Sequence, residues 1–182
     1  MKTFTFIILV LIGLSTTAQN RYLTKTGSLS FEASVPSFEE VAAKNNVVTA
    51  ILNTETGEFA ALALVKAFRF KNALMEEHFN ENYAESDDYP KAIFKGKIDD
   101  FDIAKLNELN TEMLIYGSLT FHGVTKDLKS ITLTLKLVDN TITLSGSFKV
   151  MVSDFKIEIP KIVKNKLSDE VSVAFEFELV KK

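Results

Sequence analysis

Hydrophobic and polar residues alternate along most of this chain. The clearest example is V-S-V-A-F-E-F-E-L at 171–179, in which every second residue is a large apolar one. A period of two places such residues on one face of a β-strand and the intervening residues on the other. Similar patterns predict strands at 22–34, 47–53, 58–70, 91–99, 112–122, 127–138, 141–152 and 170–180.

The segments 47–53 and 58–70 are joined by Asn53-Thr-Glu-Thr-Gly57. Asparagine and glycine accept the positive φ angles of a tight reversal more readily than other residues do. These two segments are therefore predicted to form a β-hairpin.

Two segments depart from the alternation. Residues 72–83 place apolar side chains at helical spacing, which predicts an amphipathic helix. The proline-containing stretch 86–90 ends this helix. A shorter helical turn is predicted to begin at Pro160 and to run through Leu167, because the fixed φ of proline suits a first helical position.

Eight strands with one or two short helices predict an all-β fold, a closed antiparallel eight-stranded barrel. The interior of an eight-stranded barrel holds either packed side chains or one small ligand. The period of the strands fits both interiors equally well.

The first 18 residues have the pattern of a secretory signal peptide: a lysine, an apolar run over 4–14 and small residues at 15–18. The run is shorter than the roughly 20 residues that span a membrane. We expect cleavage after Ala18 and a periplasmic or secreted mature chain with no transmembrane segment. Residues 19–182 carry no linker or repeat, and they suffice for one domain with its own core.

Composition and charge exclude several classes of function. The chain has no cysteine, so disulfides and thiolate chemistry are excluded. Its net charge is −3, and its lysines are scattered among glutamates. Without a basic face to neutralise phosphates, we expect no nucleic-acid partner.

The two histidines are the first candidates for chemistry. His122 precedes a glycine, and this pair fits a hairpin turn. A metal site would need His122, His78 and a carboxylate brought together, and no ligand cluster is recognisable in the sequence. No catalytic motif surrounds either histidine, and Gly-x-Ser-x-Gly is absent. We expect no catalytic residue, no metal and no other cofactor.

Five blocks of the sequence, together with Tyr22, resemble the YceI-like family of polyisoprenoid-binding proteins; they are 28–31, 68–79, 89–96, 117–126 and 152–157. The resemblance implies a lipocalin-like barrel that holds the apolar tail of an isoprenoid or similar amphiphile, in proteins that are commonly periplasmic. Members often have histidine at the position of Gly27 and glycine at that of Lys156. Lys156 in the place of glycine predicts a locally altered strand end.

The strand 58–70 is apolar on both faces, so one face must contact something other than water. Either a helix covers its outer face, or its inner face lines a ligand tunnel, and the resemblance favours the tunnel. One parity carries small residues, Ala61, Ala63 and Ala67, which would let a helix approach closely from outside. We therefore expect ligand contacts from the other parity and from phenylalanines of neighbouring strands: Leu62, Leu64, Phe68 and Phe70, with Phe31, Phe148, Phe175 and Phe177.

The leading hypothesis is a non-enzymatic protein that binds, transports or sequesters a polyisoprenoid or similar lipid, with Lys66 and Lys95 as candidates for contact with its head group. One alternative is an enzyme that acts on a small hydrophobic substrate in the same cavity, with His78 or His122 as base. The other is a structural or stress-response domain with a packed interior and no ligand.

Overall fold

The computed structural model describes residues 20–36 and 38–182. The predicted signal peptide, 1–18, lies outside the described residues. The strands are β1 (Arg21–Ser34), β2 (Ala42–Asn53), β3 (Glu58–Leu64), β4 (Arg69–Phe70), β5 (Lys91–Ile98), β6 (Thr111–Phe121), β7 (Val124–Val138), β8 (Thr141–Met151) and β9 (Leu167–Lys181).

The strands close into an antiparallel barrel of eight. The hydrogen-bonded order is β1-β9-β8-β7-β6-β5-β3-β2, and β2 pairs with β1 to complete the ring. The two-residue strand β4 extends the sheet beside the beginning of β2. The closed barrel predicted from the alternation of residues is therefore confirmed, as is the hairpin of β2 and β3, in which Thr49 pairs with Leu62.

One helix interrupts the strands between β4 and β5. The α-helix α1 (Ala73–His78) continues into a π-helical turn, Phe79–Tyr83, so the helix expected over 72–83 is confirmed. The residue before it, Asn72, caps the first turn, because its side-chain oxygen accepts a hydrogen bond of 2.9 Å from the backbone N–H of Leu74.

The segment between β8 and β9 forms turns. Val163 donates a backbone hydrogen bond to Pro160, and Lys166 donates one to Val163. These turns do not join into a helix, so the expectation of a helical turn through Leu167 is wrong, and β9 begins at that residue. Lys156 follows the 3₁₀ turn Val152–Phe155 and has a φ of 58°, the left-handed region in which glycine is least strained. β8 ends earlier, at Met151, so the altered strand end expected at Lys156 stays a prediction.

A bulge in β1 changes which face its side chains occupy. The register with β2 shifts between Thr24 and Gly27. Tyr22 and Thr24 are buried below the bulge, whereas Leu29 and Phe31 point into the barrel above it. An unbroken alternation over 22–34 predicts Tyr22 and Thr24 on the polar face, opposite Leu29 and Phe31. That prediction is wrong, because a bulge adds a residue to one strand and so changes the face of the residues beyond it.

The end of the barrel beside the β2–β3 hairpin is filled by tightly packed aliphatic side chains with no exposed surface: Leu52, Ile98, Leu135, Ile142 and Leu179. The hydrophobic core is thus concentrated in one half of the barrel, and the other half is left hollow. Within the part of the chain that the structure describes, no helix has the length and apolar character of a transmembrane helix.

Candidate ligand-binding cavity

A cavity of 550 Å³ occupies the hollow half of the barrel. It opens at the end of the barrel where β1 ends and β2 begins, which is the end opposite the packed core. Every barrel strand contributes to its wall, together with α1, the loop after β1 and the loop before β9. Because side chains alternate along each strand, every second side chain points inward, and these side chains together form a continuous apolar surface.

The deep wall is aromatic. Phe177 lies between Phe59 and Phe175, with both ring-centroid distances 5.6 Å. Phe94 and Phe148 extend this group, at 6.2 Å from Phe59 and 6.3 Å from Phe175. These separations are typical of contacting aromatic rings. The floor of the cavity is therefore a sheet of phenylalanine rings that offers no hydrogen-bonding group.

A second aromatic cluster, the mouth cluster, consists of Phe31, Phe68, Phe70 and Phe79. Phe79 comes from the helical segment, and its ring centroid is 5.3 Å from that of Phe31, 5.9 Å from that of Phe68 and 5.2 Å from that of Phe70. Met75, His78 and Tyr83 of the same segment also line the cavity. The helix therefore packs across the mouth. The alternative in which it covers the outside of strand 58–70 is wrong.

Six of the eight residues expected to contact a ligand do lie in the cavity wall: Phe31, Phe68, Phe70, Phe148, Phe175 and Phe177. The other two, Leu62 and Leu64, are absent from the wall, and Leu64 is 47% exposed on the outside. In their place Phe59, Ala61 and Ala63 face inward. Contact with a ligand remains a prediction for the six, but the parity assigned to Leu62 and Leu64 is wrong.

The cause of this error is the 3₁₀ turn at Val65–Ala67, which divides the expected strand into β3 and β4. Odd-numbered residues face inward before the turn and even-numbered ones after it. A turn of three residues per revolution does not preserve the period of two. A single parity therefore cannot describe residues 58–70.

Polar side chains in the wall are few and belong to the mouth segments: Glu39, His78, Tyr83, Lys166 and Ser168. Burial raises the pKa of the Tyr83 phenol above its ordinary value, because the phenolate would lose hydration there.

Beside the mouth, Lys71 forms an ion pair with Glu40. The hydrogen bond to Glu40 and its negative charge raise the pKa of the lysine. The pair joins the loop after β1 to the segment before α1.

The two lysines proposed for a head group do not fit that role. Lys66 is exposed and pairs with Asp87, and Lys95 points outward from β5. Neither lines the cavity. Lys66 lies in the 3₁₀ turn Val65–Ala67, and Lys95 points outward because β5 directs its even-numbered residues inward, as Phe94 shows.

His122 lies at the turn between β6 and β7, as predicted. Its φ is 47° and that of Gly123 is 71°, the pair of positive values found in the tightest hairpins. The imidazole also joins three segments: Nδ1 is 3.0 Å from the carbonyl oxygen of Phe155, and Nε2 is 2.8 Å from Oε2 of Glu85. It does not line the cavity.

A metal site built from both histidines has no support in the geometry. His78 lines the cavity mouth, whereas His122 contacts Glu85 and Phe155. Across residues 20–36 and 38–182, no group of three or more histidine, aspartate and glutamate side chains is placed to hold a metal ion.

Several wall residues were not expected from the sequence, among them Phe79, Phe94 and Phe155. Phe94 follows the alternation of its strand and could have been found from it. Phe79 and Phe155 lie in helical and 3₁₀ segments, whose orientation over the barrel depends on contacts between segments distant in sequence.

The chain matches the family model of the YceI-like domain over residues 17–179. No curated protein matches it. Among solved structures, it is similar to a polyisoprenoid binding domain from Saccharophagus degradans implicated in plant cell wall breakdown. The two share 17% identity with a TM-score of 0.77, covering 90% of this chain and 99% of the other.

Two further structures have the same fold. Burkholderia cenocepacia BcnA is 15% identical, with a TM-score of 0.68 over 84% of this chain and 96% of its own. The YCEI protein of Campylobacter jejuni is 18% identical, with a TM-score of 0.62 over 79% of this chain and 86% of its own. At these identities the similarity establishes the barrel fold.

Proposed function

The chain belongs to the YceI-like family, and from that premise we propose that its barrel binds the apolar chain of an isoprenoid or a similar amphiphilic lipid without transforming it. The observation that carries the proposal is the open cavity of 550 Å³ with an almost wholly apolar wall. Protein interiors are normally packed to near crystal density, and this hollow lies beside a half-barrel that is so packed. An apolar occupant would complete the packing.

The distribution of polar groups supports one orientation of the lipid. The deep wall is formed by Phe59, Phe175 and Phe177, whereas His78 and Lys166 belong to the mouth segments. Each buried methylene of a tail would contribute about 0.8 kcal/mol. A charged head group at the deep end would be desolvated without a partner, at a cost of several kcal/mol. The tail would therefore enter first, with the head group at the mouth.

A carrier or sequestering role fits the two histidines better than catalysis does. A general base needs a partner that orients it toward its substrate. The side chain of His78 makes no hydrogen bond to any other described residue, and His122 lies outside the cavity. A variant with both histidines replaced by glutamine should therefore retain its lipid.

Native mass spectrometry of the protein, purified from its own cells without organic solvent, tests the proposal. We expect a bound mass that organic extraction removes, and lipid analysis of the extract should identify a molecule with a long apolar chain. The extracted protein should bind geranylgeraniol again. A correctly folded protein that carries no adduct and binds no such alcohol would contradict the proposal.

We also propose that the chain is exported, as the family resemblance and the sequence of residues 1–18 support. Protein recovered from the cell envelope or the medium should begin at Gln19. N-terminal sequencing checks this, and full-length chain accumulating in the cytoplasm would contradict it.

A further inference from the structure

Large apolar side chains are exposed on three separate segments around the open end of the barrel. Phe38 is 46% exposed, Leu74 is 56% exposed and Ile162 is 85% exposed. Phe38 itself lines the cavity, and the other two are the immediate neighbours of the wall residues Met75 and Val163. Exposed apolar side chains therefore lie on segments that also line the apolar interior at this end, a combination that marks an interaction site.

One of these segments is also strongly basic. The mouth loop, residues 156–166, contains four lysines and one glutamate, so its net charge is +3 in a chain whose net charge is −3. Ile162 lies between Lys161 and Lys164, and all three side chains are exposed. Neither lysine forms an ion pair within residues 20–36 and 38–182.

The mouth loop is divided between the cavity and the solvent. Ile157, Ile159 and Val163 line the cavity, whereas Lys161 and Lys164 point away from it. On the opposite side of the mouth Glu40 pairs with Lys71 and Glu76 with Arg69, whereas Glu39, Glu77 and Glu81 form no ion pair with the residues that the structure describes. The free positive charge at this end is therefore concentrated on the mouth loop, and that loop is the part of the rim that would contact an anionic partner.

We propose that the mouth loop docks the open end of the barrel onto an anionic lipid bilayer, with Ile162 entering the acyl boundary and Lys161 and Lys164 among the head groups. Exposed apolar residues flanked by lysines are the composition that binds such an interface. Juxtaposed lysines are attracted by its negative surface potential. The docking itself does not require a cavity ligand. It would let a lipid tail pass between bilayer and barrel without crossing water, and this role rests on the proposed function.

Sedimentation with sucrose-loaded vesicles tests the docking surface, with the full mature chain after organic extraction. We expect binding to vesicles of equal parts phosphatidylglycerol and phosphatidylcholine, and little binding to phosphatidylcholine alone. Ile162→Ser should weaken binding to the mixed vesicles about threefold to tenfold. The double variant Lys161→Gln, Lys164→Gln should weaken it roughly tenfold or more and remove most of its dependence on salt.

The opposite end of the barrel supplies matched controls. Leu109 is 75% exposed there, so Leu109→Ser removes a comparable exposed apolar side chain. The double variant Lys105→Gln, Lys181→Gln makes the same change of charge away from the mouth. Both controls should bind as the unmodified protein does. Equal binding by all variants, or equal loss in the controls, would overturn the docking surface.

A second measurement separates this inference from the proposed function. Ile162, Lys161 and Lys164 do not line the cavity, so their variants should rebind geranylgeraniol in detergent-free solution as the unmodified protein does. Loss of vesicle binding with retained rebinding supports the docking surface. Vesicle binding by a protein that rebinds no alcohol would contradict the cavity ligand and leave the docking surface supported.

Discussion

The ring of Phe177 occupies the space that a side chain at Gly27 would need. A Cβ atom built on Gly27 lies 2.3 Å from Cδ1 of Phe177, far closer than two carbon atoms can approach. Gly27 is in the β1 bulge, and the Phe177 ring is part of the cavity floor. The space in which the family resemblance implies a histidine side chain is therefore occupied by a phenylalanine ring from the neighbouring strand.

Gly27→Ala should destabilise the protein by about 1–3 kcal/mol, because the added methyl group forces a well-packed ring to move. Thermal or urea unfolding measures the change. Phe177→Leu alone should also be destabilising, but in the double variant the two costs should not add, since the smaller side chain makes room for the methyl group. Strict additivity of the two would show that the ring does not restrict position 27.

Ala61 and Leu64 allow the revised parity of β3 to be tested. Ala61→Phe places a large side chain inside the cavity, where it competes with a lipid tail for volume, and should reduce lipid occupancy severalfold. Leu64→Phe enlarges a side chain that is 47% exposed on the outside and should leave occupancy unchanged. Native mass spectrometry measures occupancy, and circular dichroism checks the fold. The reverse result would restore the parity predicted from the sequence.

The alternation of apolar and polar residues predicted the barrel because it extends over enough of each strand to determine which face is buried. β9 is the clearest case: Phe175 and Phe177 were placed in the cavity from the sequence, and the structure has them there. The hairpin at His122 was likewise predictable, because it depends on the local chemistry of two adjacent residues. These features are encoded within single segments.

The rest of the cavity depends on breaks in that regularity. The 3₁₀ turn at Val65–Ala67 reverses the parity between β3 and β4, and nothing in an apolar stretch with alanines on one face marks where the period stops. The helix at Ala73–His78 was predictable, but its position across the mouth was not. That position depends on packing of Phe79 against rings from β1 and from the segment before the helix.

The His122 imidazole contributes to stability beyond the turn that it forms. Its side chain is only 13% exposed, and its two ring nitrogens lie within hydrogen-bond distance of Oε2 of Glu85 and of the carbonyl oxygen of Phe155. It thereby joins the β6–β7 hairpin to the loop after the helix and to the 3₁₀ turn after β8. A glutamine amide cannot reach both partners from one position.

His122→Gln should therefore lower the free energy of unfolding by about 1–2 kcal/mol, the cost of losing a partly buried hydrogen bond to a charged group. Lipid occupancy should be nearly unchanged, because the side chain does not line the cavity. Urea unfolding and native mass spectrometry measure the two quantities. A folded variant that loses its lipid would mean that this turn is part of the binding site.

Asn45 fills a gap in the barrel that the 3₁₀ turn creates. β2 pairs with β4 at Ala43 and Lys44 and with β3 from Thr49 onward, so the intervening residues have no paired strand on that side. The side chain of Asn45 has no exposed surface. Its Nδ2 donates a hydrogen bond of 3.0 Å to the carbonyl oxygen of Leu64, and its Oδ1 accepts one of 2.9 Å from the backbone N–H of Val47.

Asn45→Ala should destabilise the protein by about 1–3 kcal/mol, because two part-buried backbone groups, the carbonyl of Leu64 and the N–H of Val47, then lose their partner. The adjacent Asn46 is exposed and provides the matched control: Asn46→Ala should change stability by less than about 0.5 kcal/mol. Chemical denaturation of both variants measures the difference. Equal stabilities would mean that water replaces the amide in the gap. In that case the junction between β3 and the mouth segments would be held by the packing of the mouth cluster and not by Asn45.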